Sequence, residues 1–262
     1  MKPDYQNWIP DRLLYATYAA AGVSLFGFFV SLDLFPSGFE RTFCLAFFGL
    51  AFGVLAAACL VMRRLHRAFD FEGDQQVSRR IIEAVASRVK IPEGGRALEP
   101  GCGSGPLSIA VALKNPKATV LGLDLWPRGF SSFSQSLCEA NAKAEGAENV
   151  SFMQGDAMKL PFPDESFDAV FSNYLYSCCQ TRAKQEAVGE SLRVLKKGGA
   201  FVLHDTFLRK SKFGDMKAFA EALKREGFKR VELIDSADGL VLGKSEAWRL
   251  NLSGSAFLVG RK

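Results

Sequence analysis

Glu99-Pro100-Gly101-Cys102-Gly103-Ser104-Gly105 is the stretch that decides the fold of this 262-residue chain. It directly follows a short apolar run and directly precedes a predicted helix at residues 107–113. Glycines at alternate positions let the backbone turn sharply and leave no side chain between the backbone and a ligand. The helix behind them offers free N–H groups and the positive end of its dipole. The stretch therefore predicts a strand, a ligand-binding glycine turn and a helix.

The spacing of the glycines argues against a dinucleotide ligand. A dinucleotide-binding turn has a third Gly or Ala three positions after its second glycine, and Pro106 stands at that position here. Glu99, which precedes the first glycine, would repel a pyrophosphate but suits an ammonium group. The turn therefore favours a cationic ligand.

Two further acids follow the next predicted strands. Asp124 ends the strand at residues 119–123, where an acid can accept hydrogen bonds from both ribose hydroxyls. Asp156 follows the strand at residues 149–153 and can accept a hydrogen bond from the exocyclic amine of adenine. Acids at the ends of three successive strands favour S-adenosylmethionine over a dinucleotide.

From about residue 75 to residue 262 the chain resembles the class I S-adenosylmethionine-dependent methyltransferases, in particular the ubiquinone/menaquinone and small-molecule branch. Besides the residues above, the resemblance rests on three motifs: Gly155-Asp156-Ala157, Leu160-Pro161-Phe162-Pro163-Asp164-Glu165-Ser166-Phe167-Asp168-Ala169-Val170, and Arg193-Val194-Leu195-Lys196-Lys197-Gly198-Gly199. It implies a Rossmann-like, doubly wound α/β fold with a mostly parallel seven-stranded sheet, and S-adenosyl-L-methionine as the methyl donor.

The resemblance also implies which residues hold the donor. Glu99 and the glycines would hold its methionine end, Asp124 its ribose, and Asp156 with Ala157 its adenine, whose face Leu125 or Trp126 would cover. Packing alone is an equally good explanation of Trp126. The predicted cofactor-binding residues are Glu99, Gly101, Cys102, Gly103, Gly105, Asp124, Leu125, Trp126, Gly155, Asp156, Ala157 and Asn173.

Strands and helices are predicted to alternate along this part of the chain, as in a parallel doubly wound sheet. The predicted strands lie near residues 96–99, 119–123, 150–153, 167–172, 200–204, 230–235 and 255–260. The predicted helices lie at residues 77–89, 107–113, 127–144, 182–195 and 214–226.

Two uncharged stretches near the N-terminus, residues 13–32 and 43–62, are each about as long as a helix that crosses a bilayer. We expect an antiparallel hairpin with close contacts at small residues, namely Ala16, Ala19, Ala20, Gly22, Gly49 and Gly53. A cleaved signal peptide and a pair of helices buried in a soluble core are the alternatives. The predicted domains are a membrane anchor at residues 1–67 and a methyltransferase domain at residues 68–262.

The charges that flank these stretches predict their orientation. Arg63, Arg64 and Arg67 directly follow the second stretch, whereas the turn between the stretches carries Arg41 against two acids. Arginine-rich flanks stay on the cytoplasmic side of a membrane. Both termini and the catalytic domain are therefore predicted to be cytosolic.

Methyl transfer from a sulfonium needs mainly the alignment of acceptor, methyl carbon and sulfur. A base is needed only for acceptors such as phenols, enols or hydroxyls, and Tyr174, His204 and Asp205 are the candidates by position. A structural role is an equally good explanation of His204. The six cysteines show neither a disulfide framework nor zinc-ligand spacing, so no metal site is predicted.

The residues after the fourth predicted strand bear on the acceptor. Asn173-Tyr174-Leu175-Tyr176 lacks the prolines of amino-directed nucleic-acid methyltransferases, and the net charge of +5 is modest, so no nucleic-acid partner is predicted. The leading hypothesis is methyl transfer to a hydrophobic small molecule or lipid at a bilayer. One alternative is methyl transfer to soluble thiols or xenobiotics, with a hairpin that only localises the enzyme to a membrane. The other is a non-enzymatic S-adenosylmethionine-binding membrane module.

Overall fold

The computed structural model describes residues 2–126, 133–179, 181 and 183–262. The chain divides into two compact units. One is Gln6–Ser78, and the other is Arg79–Lys262 together with the N-terminal residues up to Tyr5. The first part of the helix predicted at residues 127–144 lies outside the described residues.

The smaller unit is a pair of long helices, α1 (Asp11–Leu34) and α2 (Phe39–Phe69). Both are long and apolar enough to cross a membrane, by length and composition. They extend beyond the predicted stretches at both ends, and the predicted turn shortens to residues 35–38. Large aromatic side chains remain exposed along both helices, among them Phe26, Phe29, Phe39, Phe43 and Phe47.

The contact face of α1 differs from the predicted one. Its buried residues are Leu14, Ala21, Ser24 and Ser31, whose spacing of seven, three and seven places them on one side of the helix. Gly27 lies against the second helix, since an added Cβ there would lie 2.6 Å from Cε1 of Phe48. The prediction from small residues alone was therefore wrong on α1, because the helix turns those residues away from α2. These exposed residues are Ala16, Ala19, Ala20 and Gly22.

The larger unit contains a seven-stranded sheet with flanking helices. Its elements in chain order are α3 (Val77–Ala86), β1 (Arg96–Pro100), α4 (Pro106–Lys114), β2 (Thr119–Asp124), α5 (Gln135–Glu145), β3 (Val150–Gln154), β4 (Phe167–Asn173), α6 (Leu175–Cys178), α7 (Lys184–Arg193), β5 (Leu195–Asp205), α8 (Lys210–Phe213), α9 (Met216–Arg225), β6 (Lys229–Asp235), α10 (Lys244–Arg249) and β7 (Ala256–Arg261).

The strand order is β3-β2-β1-β4-β5-β7-β6, and β7 is antiparallel to both of its neighbours. The remaining neighbours pair in parallel. The predicted fold class is therefore confirmed.

Two elements differ from their predicted bounds for local reasons. β5 begins five residues early because Leu195 pairs with Phe167 of β4, and this pairing also ends α7 before residue 195. α5 begins after Ser134, whose hydroxyl accepts a hydrogen bond from the Leu137 N–H and so caps the helix.

The sheet topology determines where a ligand can bind. β1 and β4 lie side by side, and the chain proceeds outward from them in opposite directions, so their carboxyl ends flank the crevice that binds ligands in this architecture. Because β7 is antiparallel, the segment between β6 and β7, residues 236–255, emerges at the same edge of the sheet.

Candidate active site

The glycine turn follows β1 and packs closely against two neighbouring elements. Gly101 has φ +75°, and a Cβ there would lie 2.5 Å from Cδ1 of Leu175 on α6. Gly105 has φ +87°, and a Cβ there would lie 3.1 Å from the ring of Phe152 on β3. Both positions therefore need glycine for backbone conformation and for space.

Glu99 places a carboxyl group in the interior of the sheet, directly before this turn. The residue is 3% exposed, and its Oε2 accepts a hydrogen bond of 2.5 Å from the Ser108 hydroxyl on α4. Burial raises the pKa of Glu99 to about 8, although the bond from Ser108 acts in the opposite direction. A cation beside this carboxyl would stabilise its ionised form, so the residue fits the ammonium group of the implied donor.

Asp124 connects the tip of β2 to the glycine turn. Its Oδ2 accepts a hydrogen bond from the Gly103 N–H at 2.9 Å, and its Oδ1 accepts one from the Trp126 N–H at 3.0 Å. A carboxylate has about four lone-pair sites, so this group keeps the capacity to accept hydrogen bonds from ribose hydroxyls. The Trp126 indole N–H donates to the Gly103 carbonyl at 2.8 Å, and the adjacent Leu125 is 50% exposed.

The residues predicted to bind adenine follow β3. Asp156 is exposed, and its Oδ1 accepts a hydrogen bond from the Met158 N–H at 2.8 Å. The Gly155 N–H donates to the Asp124 carbonyl at 2.9 Å, which ties this loop to the tip of β2. A cleft of about 340 Å³ opens beside Met158 and against α7. The structure thus brings the predicted ribose and adenine residues to adjacent strand tips.

His204, near the end of β5, is buried and contacts Asn173 and Ser236, so it is not an exposed base. It is 1% exposed, its Nδ1 lies 2.7 Å from Oδ1 of Asn173, and its Nε2 lies 2.8 Å from Oγ of Ser236. Burial, with a contribution from the charge of Arg88, lowers the pKa of His204 to about 3. The imidazole is therefore neutral at physiological pH and has a partner at each nitrogen.

Tyr174 and Asp205 also have internal partners. The Tyr174 hydroxyl lies 2.7 Å from Oγ of Ser255, and its ring packs edge-on against His204. Asp205 is fully buried and accepts hydrogen bonds from the Ser177 and Thr206 N–H groups at 2.9 and 2.6 Å. Burial raises the pKa of both groups. The structure brings the three candidate catalytic residues together, and Tyr174 alone among them is partly exposed.

Two contact residues of the site were missed in the sequence. Ser108 is the one polar residue of the apolar helix α4 before its last residue, Lys114, and this pattern was a usable signal for a buried partner. Asn141 on α5 is 2% exposed and contacts the carbonyl of Ser104 in the glycine turn at 3.0 Å. Its sequence neighbourhood is mixed in polarity and gives no comparable signal.

No group of three or more potential metal ligands occurs among the residues that the structure describes. Cys102 and Cys138 are buried beside the glycine turn, and the Cys138 thiol donates to the Gly103 carbonyl at 3.2 Å.

A family model described as a methyltransferase domain matches residues 91–243, more than half of the chain. The chain belongs to this methyltransferase domain family. This membership confirms the predicted enzyme class and the predicted donor, S-adenosyl-L-methionine.

Several curated proteins are similar to the methyltransferase domain. The chain is 31% identical over 156 residues to the 27-O-demethylrifamycin SV methyltransferase of Amycolatopsis mediterranei, covering 58% of this chain and 53% of that protein. It is 36% identical over 125 residues to the demethylmenaquinone methyltransferase of Geobacillus kaustophilus, covering 47% of this chain and 50% of that protein. It is 39% identical over 116 residues to the fatty-acid O-methyltransferase of Mycolicibacterium smegmatis, covering 43% of this chain and 38% of that protein. The chain spans about half the length of the curated relatives it matches.

Among solved structures, the [4+2]-cyclase SpnF superposes on the methyltransferase domain with a TM-score of 0.52 and 23% identity. The match covers 74% of this chain and 85% of the cyclase. This likeness shows the fold alone.

Replacing Glu99 tests the buried carboxyl. In the unfolded chain Glu99 ionises near pH 4.3, whereas in the folded protein it keeps its proton up to about pH 8, so it reduces stability as the pH rises through this window. We expect Glu99→Gln to raise the melting temperature of the ligand-free domain progressively from pH 5 to pH 8. The same variant should bind S-adenosylhomocysteine at least tenfold more weakly, about 1.4 kcal/mol, because the amide carries no charge.

Differential scanning fluorimetry and isothermal titration calorimetry measure the two effects. Glu148→Gln, at an exposed glutamate, is the matched control and should change neither. The assignment of Glu99 would be contradicted by two results together. These are a melting temperature of Glu99→Gln that does not rise relative to wild type as the pH increases, and an unchanged affinity for S-adenosylhomocysteine.

Replacing His204 tests its buried, neutral state. Its folded pKa lies below the unfolded value of about 6.5, so the unfolded chain binds more protons and stability falls as the pH drops from 6.5 towards 3. We expect His204→Gln to have a shallower acid-side loss of melting temperature than wild type. Equal slopes of melting temperature against pH for His204→Gln and wild type between pH 4 and 6.5 would show that His204 titrates normally.

Proposed function

We propose that this chain is a membrane-anchored methyltransferase that transfers a methyl group from S-adenosylmethionine to a hydrophobic small molecule or lipid. The observation that carries the proposal is that one chain combines the donor site at Glu99 with two exposed apolar helices of membrane-spanning length. The names of two relatives, a demethylmenaquinone methyltransferase and a fatty-acid O-methyltransferase, support an apolar acceptor.

The proposal includes the predicted boundaries and orientation. The anchor lies within residues 1–67, whose first five residues group with the larger unit, the methyltransferase domain spans residues 68–262, and both termini are cytosolic. Arg63, Arg64 and Arg67 at the end of α2 support this orientation, since positively charged residues next to a span stay in the cytoplasm.

In the proposed mechanism the donor supplies a methyl group on an already activated sulfonium, and the protein aligns the two reactants. Glu99 binds the ammonium group, Asp124 binds the ribose, and Asp156 with Ala157 binds the adenine. Tyr174, the partly exposed member of the group at the tip of β4, contacts the acceptor and keeps its proton because burial raises its pKa.

His204 and Asp205 are positioning residues in this mechanism. His204 holds Asn173 at the tip of β4, and Asp205 holds the start of α6 through the Ser177 N–H. Since both side chains are buried and fully engaged, they orient the crevice without contact to the acceptor.

An unbiased acceptor assay tests the proposed function. The full-length protein is reconstituted in vesicles with radiolabelled donor and a total lipid and metabolite extract, and the labelled product is identified. We expect label in the organic phase, and a large loss of it in Asp124→Ala. Label confined to water-soluble thiols would overturn the proposed acceptor class. Donor binding without any labelled product would overturn the proposed activity in favour of a binding module.

Exposed apolar residues at the same edge of the sheet also support an acceptor within a bilayer. Between β6 and β7, Trp248 is 77% exposed and Leu240 is 49% exposed. Ala247 of α10 and Leu250 directly after the helix are buried, whereas Trp248 between them points outward. Tryptophan side chains are enriched at membrane–water interfaces, so we propose that this segment contacts the lipid surface beside the crevice.

Trp248→Ser tests this contact. We expect turnover of a bilayer-embedded acceptor to fall severalfold, while affinity for S-adenosylhomocysteine stays unchanged, because the residue lies outside the donor site. Brominated phosphatidylcholine should quench the part of the fluorescence that Trp248→Phe removes. Leu113→Ser, at an exposed apolar residue near the end of α4, is the control. Absence of such quenching would exclude the lipid contact.

A further inference from the structure

The first residues of the chain lie against the glycine turn. Asn141 on α5 forms two hydrogen bonds with the backbone of Asp4. Its Oδ1 accepts from the Asp4 N–H at 2.7 Å, and its Nδ2 donates to the Asp4 carbonyl at 2.9 Å. The same Nδ2 donates to the Ser104 carbonyl at 3.0 Å. One buried amide therefore joins the N-terminal segment to the turn that follows β1.

A second connection runs directly from the turn to the segment. The Ser104 hydroxyl donates to the Tyr5 carbonyl at 2.6 Å, and Ser104 is 4% exposed. Tyr5 is itself buried, and its hydroxyl donates to Oε1 of Glu145 at the end of α5 at 3.2 Å. Residues 2–5, which we name the N-terminal strap, thus contact the turn and α5 through the backbone of Asp4 and the backbone and side chain of Tyr5.

The same face of α5 also contacts Gly103, the residue before Ser104 in the turn. Cys138 lies three positions before Asn141, on the same helix face, and its thiol donates to the Gly103 carbonyl. Gly103 in turn donates its N–H to Asp124, the predicted ribose ligand. The strap, α5, the turn and Asp124 therefore form one continuous hydrogen-bonded network.

We propose that the N-terminal strap is part of the donor site and that Asn141 is the positioning residue through which it acts. A turn rich in glycine loses much conformational entropy when it becomes ordered, and contacts that order it beforehand raise the affinity for its ligand. The strap supplies such a contact from a distant part of the sequence, since Tyr5 and Ser104 are 99 positions apart. This inference rests on the proposed function only in that the turn binds the donor.

The position of the strap gives the proposal a consequence for regulation. α1 begins at Asp11, six residues after Tyr5. The backbone that orders the donor site is therefore the backbone that leads into the first apolar helix. A change that pulls this backbone away from Asn141 would lower donor affinity, and donor binding would favour the bound strap by the same factor.

A pair of substitutions at one position isolates the backbone contact. Asp4→Pro removes the N–H that Asn141 accepts, whereas Asp4→Ala keeps that N–H and removes only the side chain. We expect Asp4→Pro to weaken S-adenosylhomocysteine binding to the full-length protein by about three- to tenfold relative to Asp4→Ala, as for the loss of one buried hydrogen bond. The donor KM should rise by a similar factor, and kcat at saturating donor should stay unchanged.

Asn141→Ala provides the second route, since it breaks the same contact from the other side. In the Asn141→Ala background, Asp4→Ala and Asp4→Pro should have the same affinity, because the Asp4 N–H then has no Asn141 oxygen to which it can donate. Thermal unfolding is measured for every variant, and a purely structural role would lower the melting temperature and kcat while leaving the affinity of the folded protein unchanged.

The outcomes separate this inference from the proposed function. Equal affinities of Asp4→Pro and Asp4→Ala, with wild-type binding intact, would overturn the role of the strap and leave the donor site as described. Additive effects of Asp4→Pro and Asn141→Ala would also overturn it. Absence of binding by the wild-type protein would instead overturn the proposed function.

Discussion

A carboxyl group buried in the middle of a sheet is the constraint on which the rest of this structure depends. Glu99 lies on the central strand β1, between β2 and β4, where an apolar residue would stabilise the fold. Its hydrogen bond from Ser108 does not offset burial, and its pKa rises to about 8. A buried acid of this kind reduces stability at neutral pH unless a cation joins it. The glycine turn next to it leaves the space in which a cation can bind.

The surrounding elements fix that space from several directions. Leu175 packs on Gly101 from the tip of β4, Asp124 holds Gly103 from the tip of β2, and Asn141 holds Ser104 from α5. The turn is thus ordered by contacts from three separate parts of the chain. Such order before binding lowers the entropic cost of holding a ligand, which makes the site a preorganised one.

The parts predicted from sequence are those with a local signal. The alternation of strands and helices predicted the sheet, and the acids Glu99, Asp124 and Asp156 at the ends of successive strands predicted the donor. The burial of His204 has no such signal, because β7 covers it by pairing Phe257 opposite it and the residue after β6 supplies Ser236. The contact of Asp4 with Asn141 also depends on distant residues. In the helical pair, side-chain size predicted the wrong face of α1, where the buried residues are Leu14, Ala21, Ser24 and Ser31 and the ring of Phe48 packs on Gly27.

Proton release on donor binding is the sharpest test of the role proposed for Glu99. Because burial raises its pKa to about 8, Glu99 is mostly protonated in the free protein at pH 7, and we propose that it ionises beside the ammonium group of the donor. Calorimetric titration of the full-length protein with S-adenosylmethionine in phosphate and in Tris, whose ionisation enthalpies differ, measures the number of protons exchanged. We expect the release of about one proton per donor bound. A binding heat that is the same in both buffers would contradict it.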